Sequence, residues 1–209
     1  MSVVEGPRSS AGLVARVQNI LMKPTTEWDV IAGESATVQS LFMGYAAVLA
    51  AIPAIAGVIG QLAFRSVCVF GVCVHLNPIY VVVAAVVRYV LSLVGVYVIG
   101  LIIDALAPSF GGEKNQLAAM KVAVYSFTAS WLAGIFAVLP ALGILGLLGL
   151  YSLYLLYLGL PKLMKAPQDK AFGYTAVAVI CGIIVFVIAT VVAGDIASMG
   201  GGAPAVSIG

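Results

Sequence analysis

Charged and polar residues crowd the first 37 positions of the chain, and long apolar runs alternate with short polar breaks thereafter. Five runs stand out, at about 38–62, 78–106, 117–139, 141–161 and 173–195. Each reaches the length of about 20 residues that an α-helix needs to cross a bilayer core. The pattern predicts an all-α membrane protein, a bundle of five transmembrane helices with an N-terminal interfacial helical segment. Only Leu139–Pro140 separates the third and fourth runs, and a proline lacking its helix donor calls for a tight turn there. The predicted division is a cytoplasmic interfacial segment at 1–37, a membrane domain at 38–195 and a disordered external tail at 196–209, which ends in "ASMGGGAPAVSIG".

Within the N-terminal segment, Leu13, Val14, Val17, Ile20 and Leu21 recur at helical spacing. Arg16, Gln18 and Asn19 are expected to lie off that face. Pro24 ends this helix, and Thr26, three residues before Asp29, resembles the capping start of a second short helix carrying Trp28. Trp favours the headgroup level, so Arg16 and Trp28 are expected to act as interfacial anchors. A surface that docks a partner is the sharper alternative.

Composition sets the solvent. Of 209 residues, 63% are hydrophobic and only 9% charged, against about 25% charged in a soluble domain. The chain is therefore expected to be integral to a membrane. A net charge of +2 from scattered Lys and Arg offers no patch for nucleic acid. The first 37 residues are too polar for a cleaved signal peptide and are expected to stay on the chain; no lipidation signature accompanies them. With the N-terminus inside, Arg8, Arg16, Lys23, Lys114, Lys121, Lys162, Lys165 and Lys170 face the cytoplasm, and only Arg65 faces out. That asymmetry predicts a cytoplasmic N-terminus and an external C-terminus.

Two stretches carry a family resemblance. "RVQNILMKPTTEW" resembles the opening motif of bacterial members of the Yip (Ypt-interacting protein) family. The more specific stretch runs from Tyr125 to Pro167, "YSFTASWLAGIFAVLPALGILGLLGLYSLYLLYLGLPKLMKAP". The family pattern commonly has Pro after its "YSxT" element, where this chain has Ala129, and this departure from the pattern argues against a proline kink in the third run. The resemblance implies a polytopic membrane protein with a cytoplasmic N-terminal segment. Eukaryotic relatives associate with Rab-type GTPases and with one another in vesicle trafficking.

Candidate chemistry is sparse. His75 is the only histidine and lies outside the runs, and no H-E-x-x-H or intramembrane carboxylate pair is present. An enzyme is not expected, nor is a cofactor. Arg88 is the conspicuous residue, because a cation inside "VVVAAVVRYVLSLVGVYVIGLIID" costs at least about 2.5 kcal/mol and needs a partner, water or a ligand. It sits roughly 5–6 Å external to the bilayer midplane. Ala84, Ala85, Ser92 and Gly95 share its small, polar face, and Asp195 is the nearest carboxylate in depth. An anion or lipid-headgroup site and a purely structural role are both open. Further polar-interior candidates are Tyr125 and Thr128 in the third run, and Tyr151 and Tyr154 in the fourth.

In the external loop, Cys68 and Cys73 flank "VFGV", where Gly71 permits a turn and Val67, Val69, Val72 and Val74 favour strands. A hairpin would bring the two cysteines within bridging range. A disulfide, free thiols and a soft-metal site completed by His75 are the three readings. Cys181 reads as a small apolar residue. Gly143, Gly146 and Gly149 share a broad helical face, which allows close helix packing or self-association. The leading expectation is a non-enzymatic, membrane-organising or partner-binding protein whose partners are membrane lipids, a cytoplasmic protein or a second copy. The alternative is a small transporter, channel or lipid-handling protein with a polar interior at Arg88.

Overall fold

The computed structural model describes residues 12–64, 66–69, 72–75, 77–201 and 205–208, the side chains of 66–75, 140 and 200 onward excepted. Five helices in it are long and apolar enough to cross a membrane: Val38–Ala63, Pro78–Phe110, Gln116–Val138, Ala141–Met164 and Gln168–Met199. We call them the first to fifth spans. Two short helices precede them, α1 (Leu13–Met22) and α2 (Pro24–Gly33). A small antiparallel sheet, β1 (Ser66–Val69), β2 (Val72–His75) and β3 (Ala205–Ile208), is the other element type, in the order β1-β2-β3.

Local chemistry sets several boundaries. Pro24 begins α2 at its first helical position, where a missing N–H costs nothing. Thr26 is therefore inside the helix, with its hydroxyl donating to the Lys23 carbonyl, and is not the cap. The first span opens on a reciprocal cap in which Thr37 and Ser40 each accept the other's backbone N–H. Asn77 caps the second span and Asn115 the third.

The third span is interrupted without a proline. Its helix breaks at Phe127 (φ −73°, ψ −6°) and resumes at Thr128, whose hydroxyl donates to the Tyr125 carbonyl at 2.7 Å. Local hydroxyl-to-backbone bonds of this kind compete with the helical ladder. At Leu139 the chain turns back, and Ser130 donates to the Gly149 carbonyl and contacts the Ser152 hydroxyl at 2.9 Å. The third and fourth spans thus form an antiparallel hairpin. The fourth begins with an unusually long 3₁₀ stretch, Pro140–Leu150. At three residues per turn side chains eclipse, and Gly143, Gly146 and Gly149 relieve that crowding along one edge. Only Gly149 meets a neighbour, at Ser130; Gly143 and Gly146 face open space.

The second and fifth spans pair along their length, and the first packs on the second and on the end of the third. Gly60 makes that last contact possible, since a Cβ there would fall 2.2 Å from the Ala137 carbonyl oxygen. The main core, with Ile20, Trp28, Ile31, Ile103, Met120, Leu155, Leu160 and Tyr174, fills the end of the bundle beside α1 and α2. The tail departs from the disordered expectation. The last helix continues to Gly201, and Ala205–Ile208 pairs antiparallel with β2. The β2 edge offers unpaired backbone groups, and the extended "AVSI" strand satisfies them.

Candidate functional site

α1 presents Leu13, Arg16, Val17 and Ile20 at i, i+3, i+4 and i+7, one face by helical geometry. Arg16 therefore belongs to the inward stripe, not off it as expected. It is 2% exposed and pairs with both Glu27, itself buried on α2, and Glu34 just beyond α2. Burial works against the Arg16 charge, but the hydrogen bond to Glu34 and the charges of Glu34, Tyr125 and Glu27 overcome it, so its pKa is raised. The guanidinium also lies 5.7 Å from the centre of the Tyr125 ring.

Lys121 completes the cluster from the third span. Its ammonium is buried and donates to the main-chain carbonyls of Ile31, at 2.8 Å, and Glu34. Arg16 thus pairs with both carboxylates, Glu27 and Glu34, and Lys121 brings a second cation to the cluster, so the four formal charges sum to zero. Removing one partner of such a buried pair typically costs about 3–5 kcal/mol, because the remaining charge has lost its compensation.

Around these charges the aromatic packing is close. Tyr125 takes the edge of Trp28 at 6.4 Å and of Tyr45 at 4.8 Å between ring centres. The Tyr45 hydroxyl meets Thr128 at 2.9 Å. Trp28 is fully buried over Gly159 of the fourth span. Tyr151 reaches back to donate to the Leu21 carbonyl, and Lys162 donates to the Thr25 carbonyl and pairs with Asp29 at 2.6 Å. Each helix of the N-terminal segment is therefore tied to the spans. Arg16 and Trp28, expected as interfacial anchors, are internal parts of the bundle.

The other sequence candidates separate. Tyr125 and Thr128 belong to the charged cluster, and Tyr151 secures α1. Tyr154 packs beside Tyr151, at 5.5 Å between rings, but remains 47% exposed. Arg88 and Ser92 lie elsewhere, in a cleft of about 330 Å³ that also includes Gln61 and Thr190, between the first, second and fifth spans. Arg88 is exposed and makes no ion pair among the described residues; Asp195 is exposed and makes none there either. Asp195 lies five residues beyond Thr190, about 140° round the helix, so it faces away from the cleft.

The backbone register places Cys68 opposite Cys73. Their side chains, and that of His75, lie outside the described residues. Sequence reading missed Glu27 and Glu34, and took Lys121 only as a cation facing the cytoplasm. The available signal was their spacing: Glu27 and Glu34 are seven apart, two helical turns, and Lys121 stands one turn inside an apolar run. A family model described as Yip1 domain matches residues 19–189. No curated protein and no solved structure matches the chain.

Proposed function

Because the chain belongs to the Yip1 domain family, we propose that this integral membrane protein works without catalysis, as a scaffold whose docked N-terminal segment binds a cytoplasmic protein. One observation carries the reading: Arg16, Glu27, Glu34 and Lys121 fix α1 and α2 to the spans through buried charge. Burying ions is costly, and well-packed apolar residues would hold an inert anchor at least as well. What the charges add is one defined orientation, so the outer surface is presented pre-organised, which lowers the ordering cost of association.

That surface exposes two apolar side chains, Val14 at 66% and Met22 at 80%, on either side of the polar Gln18 on the same helix face. An apolar helix or strand face on the partner suits it. The assignment of this end to the cytoplasm rests on the eight-to-one excess of Lys and Arg, and the bacterial inner membrane is what the resemblance to bacterial members of the family implies. A photo-crosslinking residue at Met22, in native membranes, tests the proposal. A discrete protein adduct that disappears in Lys121→Met, with the five spans still folded, is expected. Adducts with lipid alone, or a protein adduct indifferent to Lys121→Met, contradict it. An adduct of twice the chain's mass identifies a second copy and replaces the cytoplasmic partner.

A further inference from the structure

The opposite half of the bundle, toward the β1–β2 hairpin, contains a feature that docking of α1 and α2 does not use. Arg88 is ten residues into the second span, about 15 Å along the helix from its first residue. Helical side chains lean toward the N-terminus, which for this span is the hairpin end. The long aliphatic stem thus directs the guanidinium toward the headgroups of that leaflet. No counter-charge meets it among the described residues.

Two hollows adjoin here. The cleft holding Arg88, Ser92, Gln61 and Thr190 has a volume of about 330 Å³. Beside it, between the first and second spans, lies a groove of about 350 Å³, and the two share Ala54, Ala85 and Tyr89 as a common wall. Ile55, Val58, Val82 and Val86 make the rest of the groove apolar. Ile55, Val82 and Val86 are 60%, 47% and 58% exposed, so the groove opens sideways to the bilayer.

We propose that the cleft binds the phosphodiester of a membrane glycerophospholipid, with one acyl chain lying in the adjoining groove. A free anion would satisfy Arg88 but leave the groove without a function. A hydrocarbon alone would fill the groove and leave the cation unpaired. An amphiphile answers both. Arg88 supplies a planar fork that takes two phosphate oxygens, and it lines the cleft that shares a wall with the groove, so one ligand can reach both. The proposal is independent of the docking reading, because its residues lie on other faces of the spans.

The test follows thermal unfolding of the full chain in detergent during titration with dioctanoyl phosphatidylglycerol, dioctanoylglycerol or inorganic phosphate. Phosphatidylglycerol is expected to raise the unfolding temperature saturably, and the other two to leave it unchanged. Arg88→Gln is expected to weaken the phosphatidylglycerol response on the order of tenfold, the loss of a charge-assisted hydrogen-bond pair. An equal response to dioctanoylglycerol overturns the phosphate contact, and an equal response to inorganic phosphate overturns the lipid. These arms use the parent protein alone, so they decide the matter even if Arg88→Gln does not fold. An unchanged response in a folded Arg88→Gln also overturns the proposal.

Discussion

Lys121 and Glu34 meet through the main chain. The ammonium takes the Glu34 carbonyl oxygen, which leaves the Glu34 carboxylate free to pair with Arg16. One residue thereby joins the third span to α1, and its two functions use different atoms. The arrangement explains why a short stretch after α2 can hold two helices against a membrane bundle.

Lys121→Met should uncouple the segment without dissolving the spans. The substitution keeps the stem's length and apolar contacts but removes the donor to Ile31 and Glu34. The expected loss is about 1.5–3 kcal/mol of docking free energy, the scale of hydrogen bonds made by a charged donor. Limited proteolysis should then cut between α1 and α2, near Lys23, while Gln116–Met164 stays protected. Equal resistance in parent and variant would remove Lys121 from the clamp.

Gly159 and Trp28 should be energetically coupled. A Cβ at 159 would lie 2.8 Å from Trp28 Cζ2, so Gly159→Ala forces the indole to move. An overpacked core of this kind loses about 1–3 kcal/mol. Trp28→Phe removes the clashing part of the ring and also the Nε1 that has no hydrogen-bond partner. Gly159→Ala should therefore be close to neutral in a Trp28→Phe background. Chemical unfolding in mild detergent measures the cycle, and strict additivity would show that the close approach carries no strain.

Cys68 and Cys73 should be linked in protein purified without reductant. Directly opposed residues of antiparallel strands have Cα atoms about 4.5–5.5 Å apart, inside the usual disulfide range of about 4.4–6.8 Å. Peptide mapping by mass spectrometry should recover the linked pair and a free Cys181. Alkylation of both before reduction contradicts the bridge and makes metal titration with Cys68→Ser the next comparison.

Much of this fold was legible because a membrane span is a long-range compositional signal. Runs such as Val81–Ile103 have no other stable solvent, and the five spans follow from length and apolarity alone. Arg16 was misplaced for a different reason. A charged residue on a helix next to polar neighbours reads as solvent-facing, although its i, i+3, i+4 spacing to Leu13, Val17 and Ile20 put it inside. Its partner Glu34 is in turn held by Lys121, 87 residues away, and nothing local in either stretch announces the other. The break at Phe127 was similarly hidden, because it depends on where the Thr128 hydroxyl points. β3 was hidden because "AVSI" gains its strand only when β2 provides an edge. Arg88 was legible as an anomaly, but its cleft is a property of three spans together.

Topology supplies a separate prediction. A reporter fused after Gly209 should signal the external side, and one placed after Lys165 the cytoplasmic side, as the basic asymmetry requires. Both reporters on the same side would be incompatible with five crossings.

Buried charge docks α1 and α2, which do not merely rest on the membrane surface. Hydrogen–deuterium exchange of the full chain in lipid nanodiscs tests this docking most directly, because amide protection reports the free energy of local opening. The α2 amides around Trp28 and Ile31 should exchange nearly as slowly as those of Ala119–Val124, and Arg16→Met should accelerate them selectively. Rapid exchange of α2 in the parent protein, at the rate of a frayed interfacial helix, would contradict it.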